Sequence, residues 1–144
     1  MAEDKTHLDG KRILAVDDEA DILETIQDIL DMANVDVAGD YAGASEKIST
    51  GHYDLVILDI MGVNGLELLE EAVSREIPTV MLTAHAVNPD TLMASIRKGA
   101  IAYLPKETLA DLDDLLEELL AARAAGKPPW KLLFDKLGEY FDER

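Results

Sequence analysis

The chain contains no cysteine, which removes disulfide frameworks and thiolate metal centres and leaves no redox signal of compartment. Basic residues are scarce: 13 Lys and Arg stand against 30 Asp and Glu, a net charge of −17. That balance argues against binding nucleic acid or an anionic membrane surface, since both require basic patches that neutralise phosphates. No apolar run approaches the roughly 18 residues of a membrane span. The first twelve residues lack the apolar stretch of a signal peptide, so a soluble, cytoplasmic protein is expected. Several catalytic templates are missing too. His7, His52 and His85 have no metal-ligand spacing, no Gly-x-Ser-x-Gly elbow occurs, and Gly62-x-x-Gly65 is no phosphate loop.

What is present is an ordinary folding composition, 48% hydrophobic and 30% charged over 144 residues, enough for one domain with a sizeable core. Short β-branched runs at 12–16, 35–39, 54–58, 78–82 and 100–104 recur at roughly 20-residue intervals, room for one helix between each pair. The first, third and fourth runs are nearly continuously apolar, as in strands covered on both faces. The second alternates and reads as an edge. Ile22, Ile26, Ile29, Leu30 and Ala33 trace a helix over 19–33, and a weaker one spans 42–50. Leu66, Leu69, Ala72 and Val73 mark a third, and a fourth starts at Asn88 or Asp90 and ends at Lys98-Gly99. A leucine-rich helix is predicted over 107–125. Strict alternation predicts an α/β fold, a doubly wound parallel sheet with helices on both faces.

In such a sheet, residues just beyond the carboxyl ends of the strands converge on one crevice. Here those residues are Asp17 and Asp18 after the first strand, Asp59 after the third, Thr83 after the fourth and Lys106 after the fifth. Each alone has a plainer role: an Asp at a strand end often caps a helix, a Thr closes a turn, a surface Lys is solvated. Together, three carboxylates in one crevice repel one another until a cation relieves them. Oxygen ligands with open positions suit Mg²⁺. A carboxylate so placed can be a nucleophile toward a phosphoryl group, with Lys106 and Thr83 holding its oxygens.

The segments Ile13-Leu-Ala-Val-Asp-Asp-Glu19, Tyr53-Asp-Leu-Val-Ile-Leu-Asp-Ile-Met61, Val80-Met-Leu-Thr-Ala84 and Lys98-Gly-Ala-Ile-Ala-Tyr-Leu-Pro-Lys106 resemble, in order, the receiver domain of bacterial two-component response regulators. The resemblance covers about residues 11–122. It implies a flavodoxin-like sheet of strand order 2-1-3-4-5. It also implies that Asp59 accepts a phosphoryl group from a phosphohistidine. Asp18 and Asp59 would then ligate Mg²⁺ directly, Asp17 through water and Met61 through its backbone carbonyl. Thr83 and Lys106 would sense the phosphoryl group, and Tyr103 matches an aromatic that turns inward on activation. The implied partners are a sensor histidine kinase or phosphotransfer protein and an unknown downstream protein, engaged by protein contacts.

Two departures stand out. Glu107 follows the lysine where the family usually has a proline, and Pro105 precedes it; the loop after Asp59 is also short, Gly62-Val-Asn-Gly65. Two other readings stay open. One is a binding module of this fold that never uses the phosphorylation site, against which the intact residue set argues. The other is a phosphohydrolase with an aspartyl nucleophile, but such enzymes commonly carry a second acid where this chain has Met61. The domain is expected over 1–126, with a C-terminal amphipathic helical extension over 127–144. Trp130, Leu133, Phe134, Leu137 and Phe141 form one stripe there, which would need burial against the body of the protein or in a homodimer.

Overall fold

The computed structural model describes residues 6–60, 63–83 and 89–126, with backbone alone at Pro89, Thr91 and Leu92. The extension over 127–144, and with it the expected extra helix and homodimer contact, lies outside the described residues. Along the chain run β1 (Arg12–Val16), α1 (Ala20–Ile29), β2 (Asn34–Ala38), α2 (Tyr41–Thr50) and β3 (Leu55–Asp59). These are followed by α3 (Gly65–Ser74), β4 (Thr79–Thr83), α4 (Pro89–Arg97) and β5 (Ala102–Pro105). A 3₁₀ turn (Lys106–Asp111) then leads into α5 (Leu112–Ala124).

All strand pairs are parallel and the order is β2-β1-β3-β4-β5, as the resemblance implies. Alternation along each strand sorts the side chains into two cores. Ile13 and Ala15 of β1, Leu55 and Ile57 of β3, and Val80 and Leu82 of β4 meet α1 and α5 through Leu23, Ile26, Leu112, Leu116 and Leu119. Leu14, Val16, Val56, Leu58 and Met81 point the other way, onto Ala44 and Ile48 of α2 and Leu68, Leu69 and Ala72 of α3. Each fully buried leucine or isoleucine contributes roughly 1.5–3 kcal/mol. In β2 only Ala38 is buried, which fits its place at the sheet edge.

Three boundaries differ from expectation by two residues or more. The first helix stops at Ile29 rather than continuing to residue 33, because Asn34 must already pair with Arg12 in β2. The last strand starts at Ala102 rather than at residue 100. Ala100 is still engaged in closing α4: its N–H donates to Ser95 and that of Gly99 to Ile96, with Gly99 in the left-handed region at φ 103°. The helix expected over 107–125 opens instead as the 3₁₀ turn, and α-helix begins only at Leu112.

The end of α3 uses the same closing pattern with a side chain that resists it. Ile77 donates to Ala72 and Glu76 to Val73, with Glu76 at φ 63°. A non-glycine residue there costs roughly 1–2 kcal/mol, partly offset by the greater unfolded-state freedom of glycine. Glu76→Gly is therefore expected to stabilise the protein by about 0.5 kcal/mol in a denaturant titration. Destabilisation by that amount would contradict this account of the turn.

Candidate functional site

The carboxyl ends of β1, β3, β4 and β5 deliver the site. Asp17 follows β1 and continues its ladder, its N–H donating to the Ala38 carbonyl at 3.2 Å. Its side chain is fully buried, and Oδ1 accepts the Glu19 N–H at 2.9 Å. The carboxylate thus shapes the turn into α1, where Glu19 is the N-cap residue without a side-chain cap of its own. Asp59 is the last residue of β3 and is 5% exposed. Thr83 ends β4, buried, and lies in register with Pro105 of β5, the residue before Lys106.

Lys106 joins the acids. Its Nζ lies 2.8 Å from Asp17 Oδ2 and 3.6 Å from Asp59 Oδ1, with the lysine side chain nearly buried. Residues 17, 59 and 106, far apart in sequence, therefore form one ion-paired cluster. Asp18 is exposed beside it. Tyr103 is 2% exposed and faces inward among the side chains of the second core, in register with Met81. Met61, the expected carbonyl ligand, lies outside the described residues, as does His85.

Glu19 is a member that sequence reasoning missed. One carboxylate oxygen from each of Asp17, Asp18 and Glu19 falls within 4.8 Å of the others. The signal was available, since Glu19 directly follows the acidic pair, but only the turn held by Asp17 brings its side chain back.

The electrostatics follow from burial. Asp59 is pushed up to about 6, first by desolvation, then by the charge of Asp17; Lys106 pulls it back, and Asp18 adds to the rise. Burial works to lower Lys106, but its hydrogen bond to Asp17 and the charges of Asp59, Asp17 and Glu19 outweigh this and raise it. The lysine therefore remains an ammonium at neutral pH. One ammonium pairs with Asp17 and Asp59, while the carboxylates of Asp18 and Glu19 lie beside Asp17. The donors are hard carboxylate oxygens carrying excess negative charge, which fits a divalent cation such as Mg²⁺.

A test follows for Asp18, the exposed member. Asp18→Ala removes a charge that holds Asp59 up, so the Asp59 pKa should fall and metal-free stability at pH 7 should rise, by at most about 1 kcal/mol given solvent screening. Mg²⁺ affinity should drop in the same variant. A variant that is less stable without metal would contradict the repulsion described here.

Comparison with known proteins points one way. The family model for the response regulator receiver domain matches residues 13–120. The chain is similar to the phosphate regulon transcriptional regulatory protein PhoB of Klebsiella pneumoniae, 33% identical over 123 residues, 76% of this chain and 53% of that protein. It is also similar to the response regulator ArlR of Staphylococcus saprophyticus, 31% identical over 92% of this chain and 60% of the relative. The chain thus spans little more than half the length of these relatives. Among solved structures, a CheY-like response regulator receiver domain protein from Methanospirillum hungatei superposes with a TM-score of 0.72 at 29% identity. That likeness covers 81% of this chain and 98% of the other.

Proposed function

We propose that this chain, which belongs to the response regulator receiver family, accepts a phosphoryl group on Asp59 from the phosphohistidine of a sensor kinase or phosphotransfer protein. The observation that carries this reading is the Lys106 ammonium between Asp17 and Asp59 in the crevice at the strand ends. A purely structural ion pair has no need of the further acids, Asp18 and Glu19, that lie beside Asp17.

In the proposed reaction a carboxylate oxygen of Asp59 forms a bond to phosphorus while the phosphorus–nitrogen bond of the phosphohistidine breaks. The imidazole leaves and takes up a proton. Asp18 and Asp59, with the Met61 carbonyl, would hold Mg²⁺ directly, and Asp17 would hold it through water. When bound, the cation neutralises charge on the carboxylates and on the transferred group. Asp59 must be ionised to attack, and above about pH 6 it is, even without that help. Lys106 shifts its ammonium from Asp17 toward an oxygen of the new phosphoryl group, and the Thr83 hydroxyl donates to another.

The protein acts here as phospho-acceptor and signalling module rather than as an enzyme with a separate substrate. PhoB is named as a transcriptional regulatory protein, but no DNA-binding role is proposed for this acidic chain. Signalling through contacts with a downstream protein is the proposed output. No helix among the described residues is long and apolar enough to cross a membrane.

Acetyl phosphate tests the reaction without knowledge of the kinase. The mass of the protein should rise by one phosphoryl group with Mg²⁺ and stay unchanged in chelator. Absence of labelling under both conditions would favour the phosphorylation-independent binding module.

A further inference from the structure

Lys106 reaches its acids from the first position of the 3₁₀ turn, directly after Pro105. Among the described residues no peptide bond is cis, so the lysine is aimed by trans backbone throughout. Pro105 sits at φ −70° and ψ 148°. Its ring fixes the first angle, but a proline can adopt either an extended or a helical ψ. Something else must hold the extended value at the point where strand gives way to turn.

The group in position to do so is the Thr108 hydroxyl. Thr108 is fully buried, and its Oγ1 donates to the Pro105 carbonyl at 2.7 Å. That carbonyl belongs to the peptide plane leading into Lys106. Fixing its oxygen fixes the plane, and the plane sets the direction in which the lysine side chain leaves the backbone. The requirement is tight, because the distances from Nζ to Asp17 and Asp59 differ by less than an ångström.

We propose that Thr108 is a positioning residue that aims Lys106 into the crevice by anchoring the Pro105–Lys106 peptide plane. The proposal rests on the reading of Asp59 as phospho-acceptor. Thr108 touches none of the reacting atoms and works only through the lysine.

Two variants separate positioning from general support of the turn. Thr108→Val keeps the branched shape and removes the hydroxyl, whereas Thr108→Ser keeps the hydroxyl. Each is compared with the full-length wild type for its rate of labelling by acetyl phosphate and for Mg²⁺ affinity by calorimetry. The valine variant should label about tenfold more slowly, short of the ~100-fold that a misplacement of about 1 Å can cost. Its Mg²⁺ affinity should be unchanged or tighter, because a displaced ammonium no longer competes for Asp17. The serine variant should recover the wild-type rate.

A valine variant at the wild-type rate would overturn the proposal. So would one whose rate and Mg²⁺ affinity fall together, which is the mark of a loosened site, or a serine variant as slow as valine. A wild-type protein that takes no phosphoryl group at all overturns the proposed function and this proposal with it. Labelled wild type with an unaffected valine variant overturns only this one.

Discussion

Asp59→Asn is expected to reduce phosphoryl labelling below detection while leaving the fold intact, because an amide oxygen is a poor nucleophile and the side chain keeps its size. The same substitution should alter stability in a pH-dependent way. In the folded protein the Asp59 carboxyl is held at about 6, above its unfolded value of 3.8. Between these values the native state binds more protons than the unfolded chain at this position, so its contribution to stability falls as pH rises. Asparagine has no such dependence. The metal-free variant should therefore match wild type near pH 4, become progressively more stable than it toward pH 6, and keep a constant advantage well above that. Added Mg²⁺ should shrink that advantage. Denaturant midpoints of both proteins across this range test the claim, and a difference that is flat with pH would contradict it.

The second large effect concerns the turn after Asp59. A Cβ at Gly65 would lie 2.2 Å from the Asp59 carbonyl oxygen and 2.8 Å from Ile60 Cα. These are backbone atoms of the strand end and cannot rotate away. The approach is fixed further by the Gly65 N–H, which donates to Ile60 at 3.1 Å. Gly65→Ala should cost about 3 kcal/mol, the upper end of typical overpacking penalties. Because relief requires moving the Asp59 backbone, labelling by acetyl phosphate should slow as well. Gly39→Ala serves as control, since its Cβ would only touch the Asp17 carbonyl at 3.9 Å. A Gly65→Ala protein as stable as the Gly39→Ala control would refute the close approach.

Strand positions were readable because three of them are buried on both faces and so leave unbroken apolar runs: all five residues of β3 and β4 are buried. The edge character of β2 was readable from its alternation for the same reason. The meeting of Asp17, Asp59 and Lys106 was readable because strict alternation of strand and helix forces strand ends together, so residue type at those ends was enough to nominate them. What the sequence hid were features made by single backbone turns. Leucine spacing over 107–125 suits an α-helix, yet the buried Thr108 hydroxyl and Pro105 tighten its first turn into 3₁₀ geometry. Glu19 joins the acids only because Asp17 binds its N–H. The choice of Asp17 rather than Asp59 as the nearer partner of Lys106 is likewise a matter of a fraction of an ångström, which no residue pattern encodes.

The central claim is that Asp59 itself forms the acyl phosphate. Borohydride reduces an aspartyl phosphate to homoserine, leaving a permanent mark at the residue that carried the group. Wild-type protein treated with acetyl phosphate and Mg²⁺, then borohydride, and mapped by peptide mass spectrometry should show homoserine at position 59. Homoserine at Asp17 or Asp18 instead, or in Asp59→Asn protein, would contradict the account.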